Sequence, residues 1–330
     1  MSERQISFAQ ALREGLREEM RRDPSVVIIG EDVRVSSFGV TESLWQEFGD
    51  ARVRDTPISE AGFIGMCLGA AMTGLRPVAE LMLGDFVTVC MDQLANQAAK
   101  VRYMSGGHAE PHMVVRVGVS GPGVRVGAQH SQSLEGWFLH VPGLRVVYPA
   151  TPYDAKGLLK AAIRGPDPVM FFEHKLVYGV KGPVPESDYT VPIGKAEIKK
   201  EGKDVTIACY GYMLHKSLAA ARRLAREGIE AEVVDLRTLS PMDKETLLGS
   251  VKRTGRMVTV EDGCKTGGVG AEISAIVCEE AYDDLEAPIR RVAALDLPLP
   301  ANGVLEDAAL PNERKIIDAV KSTLKTSASA

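Results

Sequence analysis

The chain has 330 residues and a formal net charge of −5, with 45% hydrophobic, 25% charged and 5% aromatic residues. These values exclude a disordered protein, and a mild negative charge without a long basic run argues against a nucleic-acid-binding surface. No apolar run approaches the roughly 20 residues that span a bilayer, and residues 1–22 lack the apolar centre of a signal peptide. The five cysteines form no C-x-x-C pair, which argues against structural zinc and a disulfide framework and predicts a cytoplasmic protein.

The first half of the chain alternates predicted helices and strands. Ser7 to Gln10 has the form of a capping box, and it begins a helix that Asp23-Pro24 ends. The predicted strands that follow are short and apolar, at Val26–Ile29, Pro77–Met82, Met113–Val119, Arg145–Tyr148 and Val169–Phe172. The predicted helices are Glu60–Thr73, Phe86–Met104 and Tyr153–Arg164. Apolar strands separated by helices are typical of a parallel sheet that is covered on both faces.

Residues 176–195 interrupt this alternation, because they contain three prolines and three glycines without periodicity. A second α/β series follows, with strands at Val205–Cys209, Ala231–Leu236, Met257–Glu261 and Arg291–Leu295 and helices near Leu214–Glu227, Asp243–Lys252, Gly270–Tyr282 and Glu313–Leu324. We therefore predict an α/β protein of two domains, residues 1–180 and 197–330, joined by a linker at 181–196.

Glu60 is the first candidate for chemistry. Ser59 stands where it could cap the predicted helix, and the helix dipole favours an anion in the first turn, so a structural role is one interpretation. The same helix is rich in small residues (Gly62, Gly65, Gly69, Ala70, Ala71 and Gly74), which predicts that another segment packs close to it. A carboxylate buried at such an interface is a usable acid or base, which is the second interpretation.

His130 is the second candidate, in the run Gly127-Ala128-Gln129-His130-Ser131-Gln132 that follows the glycine-rich loop 118–123. Loops beyond strand ends are where α/β proteins place ligands, and histidine titrates near neutrality, so proton transfer is feasible. A histidine bonded to the loop backbone is an equal alternative.

The remaining motifs are interpreted as structural. His108 and His112 have helical spacing, but Pro111 and Gly106-Gly107 argue against a helix and therefore against a zinc site. His174 ends a strand. The run Gly267–Gly270 lacks the third glycine of a dinucleotide loop and is interpreted as a helix start.

Six segments resemble, in sequence and order, the beta subunit of the thiamine-diphosphate-dependent first component of 2-oxo acid dehydrogenase complexes. They are DTPISEAGFIG (55–65), GLRPVAELM (74–82), AAKVRYMSGG (98–107), AQHSQS (128–133), DAKGLLKAAIR (154–164) and GGVGAEI (267–273). The resemblance implies a transketolase-like fold with mainly parallel sheets: a pyrimidine-binding domain followed by a transketolase C-terminal domain.

The resemblance also implies roles for individual residues. Glu60 matches the glutamate that hydrogen-bonds the aminopyrimidine ring of thiamine diphosphate and activates the cofactor, and Phe86 matches the aromatic residue that stacks on that ring. His130 matches the histidine implicated in proton transfer and in acyl transfer to a lipoyl group. Ala162, Ile163 and Asp167 fall in a potassium-binding loop, in which Gly165 replaces an aspartate of other members.

One absent motif bears on the partners. The family class holds Mg²⁺ and the cofactor diphosphate with a G-D-G motif, which this sequence lacks. The resemblance therefore implies that an alpha subunit supplies that half, in a heterotetramer of two alpha and two beta chains, and that a dihydrolipoyl acyltransferase core also binds.

The small-molecule substrate stays open at this point. Residues 38–41 and 171–175 look like the acetoin branch, other segments suit pyruvate equally, and a branched-chain 2-oxo acid is the third option. Half of a split transketolase-type enzyme and a non-enzymatic scaffold are the alternatives from other classes.

Overall fold

The computed structural model describes residues 4–325, apart from the side chains of Val119 and Ser120. The chain divides into two compact units. The first contains the residues up to Ser120 together with Trp137–Ile193, and the second contains Gly121–Gly136 and the chain from Gly194 onward. The boundary at residue 193 falls inside the predicted linker 181–196, whereas the assignment of Gly121–Gly136 to the second unit was not predicted. None of the helices within residues 4–325 is long and apolar enough to cross a membrane.

The first half of the described chain alternates short strands and helices. Its strands are β1 (Gln5–Ser7), β2 (Val26–Gly30), β3 (Val53–Asp55), β4 (Arg76–Leu81), β5 (Val114–Ser120), β6 (Arg145–Val147), β7 (Val169–His174) and β8 (Lys181–Pro183). Its helices are α1 (Phe8–Arg22), α2 (Leu44–Phe48), α3 (Glu60–Met72), α4 (Ala99–Met104), α5 (Glu135–Leu139) and α6 (Pro152–Arg164). Six strands pair in parallel in the order β6-β7-β5-β4-β2-β3, and β1 pairs with β8 antiparallel.

The predicted start of α1 is confirmed. Ser7 Oγ accepts the backbone N–H of Gln10 at 3.2 Å, and Gln10 Oε1 accepts the N–H of Ser7 at 2.9 Å, which completes the capping box. The following strand β2 is buried at all five positions, as a strand covered on both faces requires.

The single helix predicted over Phe86–Met104 is wrong. The chain forms a 3₁₀ helix at Gly84–Thr88 and a π-helix at Asp92–Ala98, and only α4 is a regular α-helix. The β-branched residues at 87–89 are poor helix formers, and Thr88 Oγ1 donates to the carbonyl of Asp85 at 2.9 Å, which favours the tighter first turn.

A buried ionic network crosses three neighbouring strands of the first unit. Arg116 on β5 donates two hydrogen bonds to Glu173 on β7, at 2.7 and 2.8 Å, and pairs with Glu80 on β4. Tyr178 Oη donates to the same Glu173 at 2.7 Å. Because every charge in this group has a partner, the network fixes which strands lie side by side without leaving an orphaned ion.

The second unit is a smaller α/β unit. Its strands are β9 (Glu197–Lys200), β10 (Val205–Cys209), β11 (Ala231–Asp235), β12 (Thr238–Ser240), β13 (Met257–Cys264) and β14 (Arg290–Ala294). Its helices are α7 (Tyr212–Ala225), α8 (Lys244–Thr254), α9 (Val269–Glu280), α10 (Gly303–Ala309) and α11 (Glu313–Lys325). Five strands pair in the order β14-β13-β10-β11-β9, parallel except for β9.

Candidate functional site

Three acidic or potentially acidic groups of the first unit gather beyond the carboxyl ends of neighbouring strands. Glu31 directly follows β2, Glu60 begins α3 after β3, and Cys90 lies beyond β4. Glu60 is 6% exposed. Burial, together with the negative charge of Glu60, raises the pKa of the Glu31 carboxyl, and the same two causes raise the pKa of the Cys90 thiol to about 12. The carboxyl ends of parallel strands are where open α/β sheets bind ligands.

Near Glu60, the Oε1 atom of Glu31 is buried and has no hydrogen-bond partner in the described part of the chain. Ser59, which could have capped α3, makes no side-chain cap hydrogen bond. A buried carboxylate without a donor is costly in a folded protein, and such sites are where a ligand donor is accommodated. The local structure therefore fits a polar ligand beside these two carboxyl groups.

Phe86 lies in the 3₁₀ helix that follows β4 and is half-buried, so one part of its ring stays accessible. β4, β2 and β3 are neighbours in the sheet, so Phe86, Glu31 and Glu60 all follow the ends of adjacent strands. The structure thus brings the sequence-predicted pair Glu60 and Phe86 to one edge of the first unit.

Among Gly62, Gly65, Gly69 and Gly74, only Gly62 has a neighbour closer than 3.4 Å to an added Cβ. A Cβ at Gly62 would lie 2.8 Å from Ser59 Oγ, whereas a Cβ at Gly69 or at Gly74 would meet nothing within 4 Å. The C-terminal members of the small residues predicted to face another segment, Gly69 and Gly74, therefore have no close neighbour within this chain.

His130 lies in the segment Gly121–Gly136 of the second unit and is partly exposed. Its backbone N–H donates to the carbonyl of Gly127 at 3.2 Å, and the N–H of Gly121 donates to the carbonyl of Gln132 at 3.2 Å. These two bonds close the segment into a loop, which we call the His130 loop (residues 121–136).

The sequence matches two protein families: "Transketolase, pyrimidine binding domain" over residues 4–181 and "Transketolase, C-terminal domain" over residues 194–316. It is 48% identical to the acetoin:2,6-dichlorophenolindophenol oxidoreductase subunit beta of Cupriavidus necator, with 98% of each chain covered. It is 49% identical to the pyruvate dehydrogenase E1 component subunit beta of Rhizobium meliloti, covering 96% of this chain and 69% of that one. A solved structure titled "Split gene transketolase, inactive beta4 tetramer" matches with a TM-score of 0.80 at 25% identity, covering 98% of this chain and 99% of that one.

The chain belongs to the transketolase-like family of dehydrogenase beta subunits. The predicted fold, two α/β domains with mainly parallel sheets, is confirmed, and so is the resemblance to this thiamine-diphosphate-dependent family. The roles of Glu60, Phe86 and His130 in this beta subunit stay predictions.

The segment predicted to bind potassium, around Ala162, Ile163 and Asp167, is contacted by arginine side chains. Arg76 donates to the carbonyl oxygen of Ile163 at 2.8 Å, and the carboxylate of Asp167 pairs with Arg102 and, at 2.6 Å, with Arg145. The carbonyl of Ala162 accepts the N–H of Gly165 at 3.3 Å. These contacts bring positive charges of the chain to the acceptors of this segment, which disfavours a cation there, and the potassium site stays a prediction.

Two other histidines, His112 and His174, have structural partners. His112 lies 2.8 Å from the carbonyl of Gly165 and pairs through Nε2 with Glu110 at 3.2 Å. His174 is fully buried and accepts the backbone N–H of Leu176 at 3.2 Å, which caps a short 3₁₀ helix. The structural interpretation of His174 therefore agrees with its contacts.

A cluster of buried carboxyl groups lies at the C-terminal end of the His130 loop, which sequence reasoning missed. Glu135 accepts a hydrogen bond from Tyr210 at 2.7 Å, and Ser133 Oγ lies 2.8 Å from Glu135 and 3.0 Å from Asp262. Burial and the charge of Asp262 raise the pKa of Glu135 to about 7. Burial and the charge of Glu135 raise the pKa of Glu261 to about 8.

Glu261 also explains the glycines of the run Gly267–Gly270. Its Oε1 accepts the backbone N–H of Gly270 at 3.0 Å, at the beginning of α9. A Cβ at Gly268 would lie 2.6 Å from the Glu261 carboxyl group, and one at Gly270 would lie 2.5 Å from it. The start of this helix is therefore occupied by a carboxyl group of the chain itself, in agreement with the interpretation as a helix start.

Glu31 is the other residue that sequence reasoning missed in the first unit. A signal was present, since Gly30-Glu31-Asp32 directly follows the first fully buried strand. Polar residues at that place in a parallel sheet indicate a ligand site.

Proposed function

We propose that this beta subunit forms half of an acetoin or pyruvate dehydrogenase, which oxidatively cleaves its substrate and transfers the acyl group to the lipoyl group of a dihydrolipoyl acyltransferase. The observation that carries the proposal is the buried Glu60, which lies near a second carboxyl group, Glu31, whose Oε1 atom is buried without a hydrogen-bond partner among the described residues. Thiamine diphosphate, when bound, supplies carbanion stabilisation beside the substrate carbonyl.

The residues of the chain have distinct tasks in this proposal. Glu60 holds a proton against the aminopyrimidine ring nitrogen, and its burial strengthens that hydrogen bond because the local dielectric is low. Burial and the charge of Glu60 raise the pKa of the Glu31 carboxyl, which favours its neutral form beside Glu60. Phe86 supports the ring by stacking. His130 moves protons and assists acyl transfer, as an imidazole side chain can do.

The site is completed by other chains. An alpha subunit supplies the Mg²⁺ and diphosphate half, since the G-D-G motif for that half is missing from this sequence. We propose a heterotetramer of two alpha and two beta chains, a docking role for the C-terminal unit toward the acyltransferase core, and a cytoplasmic location in keeping with the cysteine pattern.

Acetoin is placed slightly ahead of pyruvate as the substrate, and a branched-chain 2-oxo acid is the alternative. Half of a split transketolase-type enzyme is supported by one observation, the match to the structure with that title. A transketolase would act on sugar phosphates and would not need a lipoyl acceptor, so the acceptor separates the two functions.

Reconstitution with an alpha-type subunit tests the proposal. Acetoin, pyruvate and 3-methyl-2-oxobutanoate are assayed side by side with a lipoyl domain as acceptor, and one of them should acylate it. Glu60→Gln should abolish turnover with little loss of stability. The matched control is Glu272→Gln, which removes the first-turn glutamate of α9 and should leave turnover intact. Near-normal turnover of Glu60→Gln would contradict the assignment.

A further inference from the structure

The His130 loop is held by a carboxylate that lies far away in the sequence. Glu306 on α10 is fully buried, and its Oε1 accepts the backbone N–H of Gly123 at 3.0 Å and that of Arg125 at 3.4 Å. Its second oxygen, Oε2, is buried without a hydrogen-bond partner in the part of the chain that the structure describes. The described hydrogen bonds of this carboxylate therefore go to the loop.

The backbone of the loop needs such support. Arg125 has a φ of +62°, and Gly121, Gly123 and Gly127 have φ values between +82° and +90°. A glycine at positive φ can also adopt other conformations, and a non-glycine residue at positive φ is strained. Contacts from outside the loop must therefore fix its backbone. Two N–H donors aimed at one carboxylate are such a contact.

Helix α10 also approaches the loop closely. A Cβ at Gly303 would lie 2.6 Å from Nε of Arg125, and a Cβ at Gly127 would lie 3.6 Å from Cβ of Ala301. The first turn of α10 is therefore packed against the segment that its Glu306 binds.

His130 lies between two anchored ends of this loop. Glu306 binds the N-terminal part, and Ser133 joins the C-terminal part to Glu135 and Asp262 at 2.8 and 3.0 Å. We propose that Glu306 is a positioning residue for His130: it holds the N-terminal part of the loop through two backbone N–H groups, so that the histidine is presented to the acyl group and its lipoyl acceptor in one geometry. This inference rests on the proposed role of His130.

Three substitutions of Glu306 in the reconstituted enzyme with its alpha subunit test the inference. Glu306→Ala removes both accepted bonds and should lower the rate of reductive acylation of a lipoyl domain by about tenfold or more. Glu306→Gln keeps the Oε1 acceptor and should stay within about threefold of the parent enzyme, since the oxygen that it loses has no partner. Thiamine diphosphate binding should be unchanged in all variants. If the alanine variant does not fold, it is replaced in every measurement by Glu306→Asp, which keeps the charge but is one methylene shorter.

The matched control is Glu232→Ala. Glu232 on β11 is an equally buried carboxylate of the same unit, but it pairs with Arg253 at 2.6 Å, and no described hydrogen bond joins it to the loop. Its loss should lower thermal stability without the tenfold loss in acylation. An equal loss in both variants would mean that a buried carboxylate matters only for stability, and would overturn the inference.

Hydrogen exchange of the loop amides gives a readout that does not depend on chemistry. Glu306→Ala, or Glu306→Asp in its place, should speed exchange at residues 121–130, and the double variant with His130→Ala should acylate no more slowly than His130→Ala alone. Unchanged exchange, or losses that multiply in the double variant, would overturn the inference. If His130→Ala alone acylates normally, the proposed role of His130 fails, while the exchange result still decides whether Glu306 anchors the loop.

Discussion

The buried carboxyl cluster of the second unit should make stability fall as the pH rises, and Glu135→Gln should remove much of that fall. Glu135 is 1% exposed, and its ordinary pKa of 4.5 is raised to about 7 by burial and by the charge of Asp262. Between those two values the folded state keeps a proton that the unfolded chain releases. The unfolded state therefore binds fewer protons there, and the free energy of unfolding decreases with rising pH.

The size of the effect follows from the two pKa values. A difference of about 2.5 corresponds to about 3 kcal/mol, present in full below pH 4.5 and lost as the pH rises through 7. Glutamine cannot ionise, and its carbonyl oxygen still accepts from Tyr210 while its amide can donate to Ser133. Glu135→Gln should thus be nearly neutral at pH 5 and more stable than the parent by about 3 kcal/mol at pH 8.

The assay is calorimetric melting of the parent and the variant across pH 5 to 8. A gain of about 3 kcal/mol raises Tm by roughly 6–12 °C for a unit of this size. Glu232→Gln is the control, since Glu232 is buried in the same unit beside Arg253 and its replacement should give no gain at pH 8. A shallower slope should remain in the variant, because Glu261 also has a raised pKa. Parallel Tm curves for the parent and Glu135→Gln would refute the reasoning.

Three other outcomes are expected. His130→Ala should leave thiamine diphosphate binding intact but impair reductive acylation of a lipoyl domain; unimpaired acylation would contradict its role. The beta subunit alone should bind thiamine diphosphate weakly in calorimetry, and tight Mg²⁺-dependent binding would contradict the divided site. Gly270→Ala should lower stability in thermal melting by about 1–3 kcal/mol, because the new Cβ would lie 2.5 Å from the buried Glu261 carboxyl; Gly249→Ala, with 3.6 Å of clearance, should not.

The elements that could be predicted were those whose signal is local. The capping box at Ser7 and the buried strand β2 each depend on residues that are adjacent in the sequence, and both were predicted. The antiparallel pair β1–β8 was missed because each strand has three residues and the partners lie far apart in the sequence. The π-helix was read as regular α-helix because its pattern of apolar residues suits either form.

The residues of the candidate site also divide into those with a local sequence signal and those without one. Glu60 and His130 could be singled out from their immediate neighbours, and Glu31 had a readable position after β2. Glu306 had none, since a glutamate within a short helix looks like any surface residue. Its burial depends on a loop 183 residues earlier in the chain, and no periodic pattern in the sequence indicates such a long-range contact.

The division of the second unit between two stretches of sequence bears on how the protein is made. The His130 loop leaves the ribosome first, while the carboxylate that holds it is encoded 183 residues later. At about 5–20 residues per second, the loop waits roughly 10 to 40 seconds for that carboxylate during synthesis. The first unit can begin to fold early, whereas the segment that contains His130 takes its final shape only after Glu306 has been synthesised.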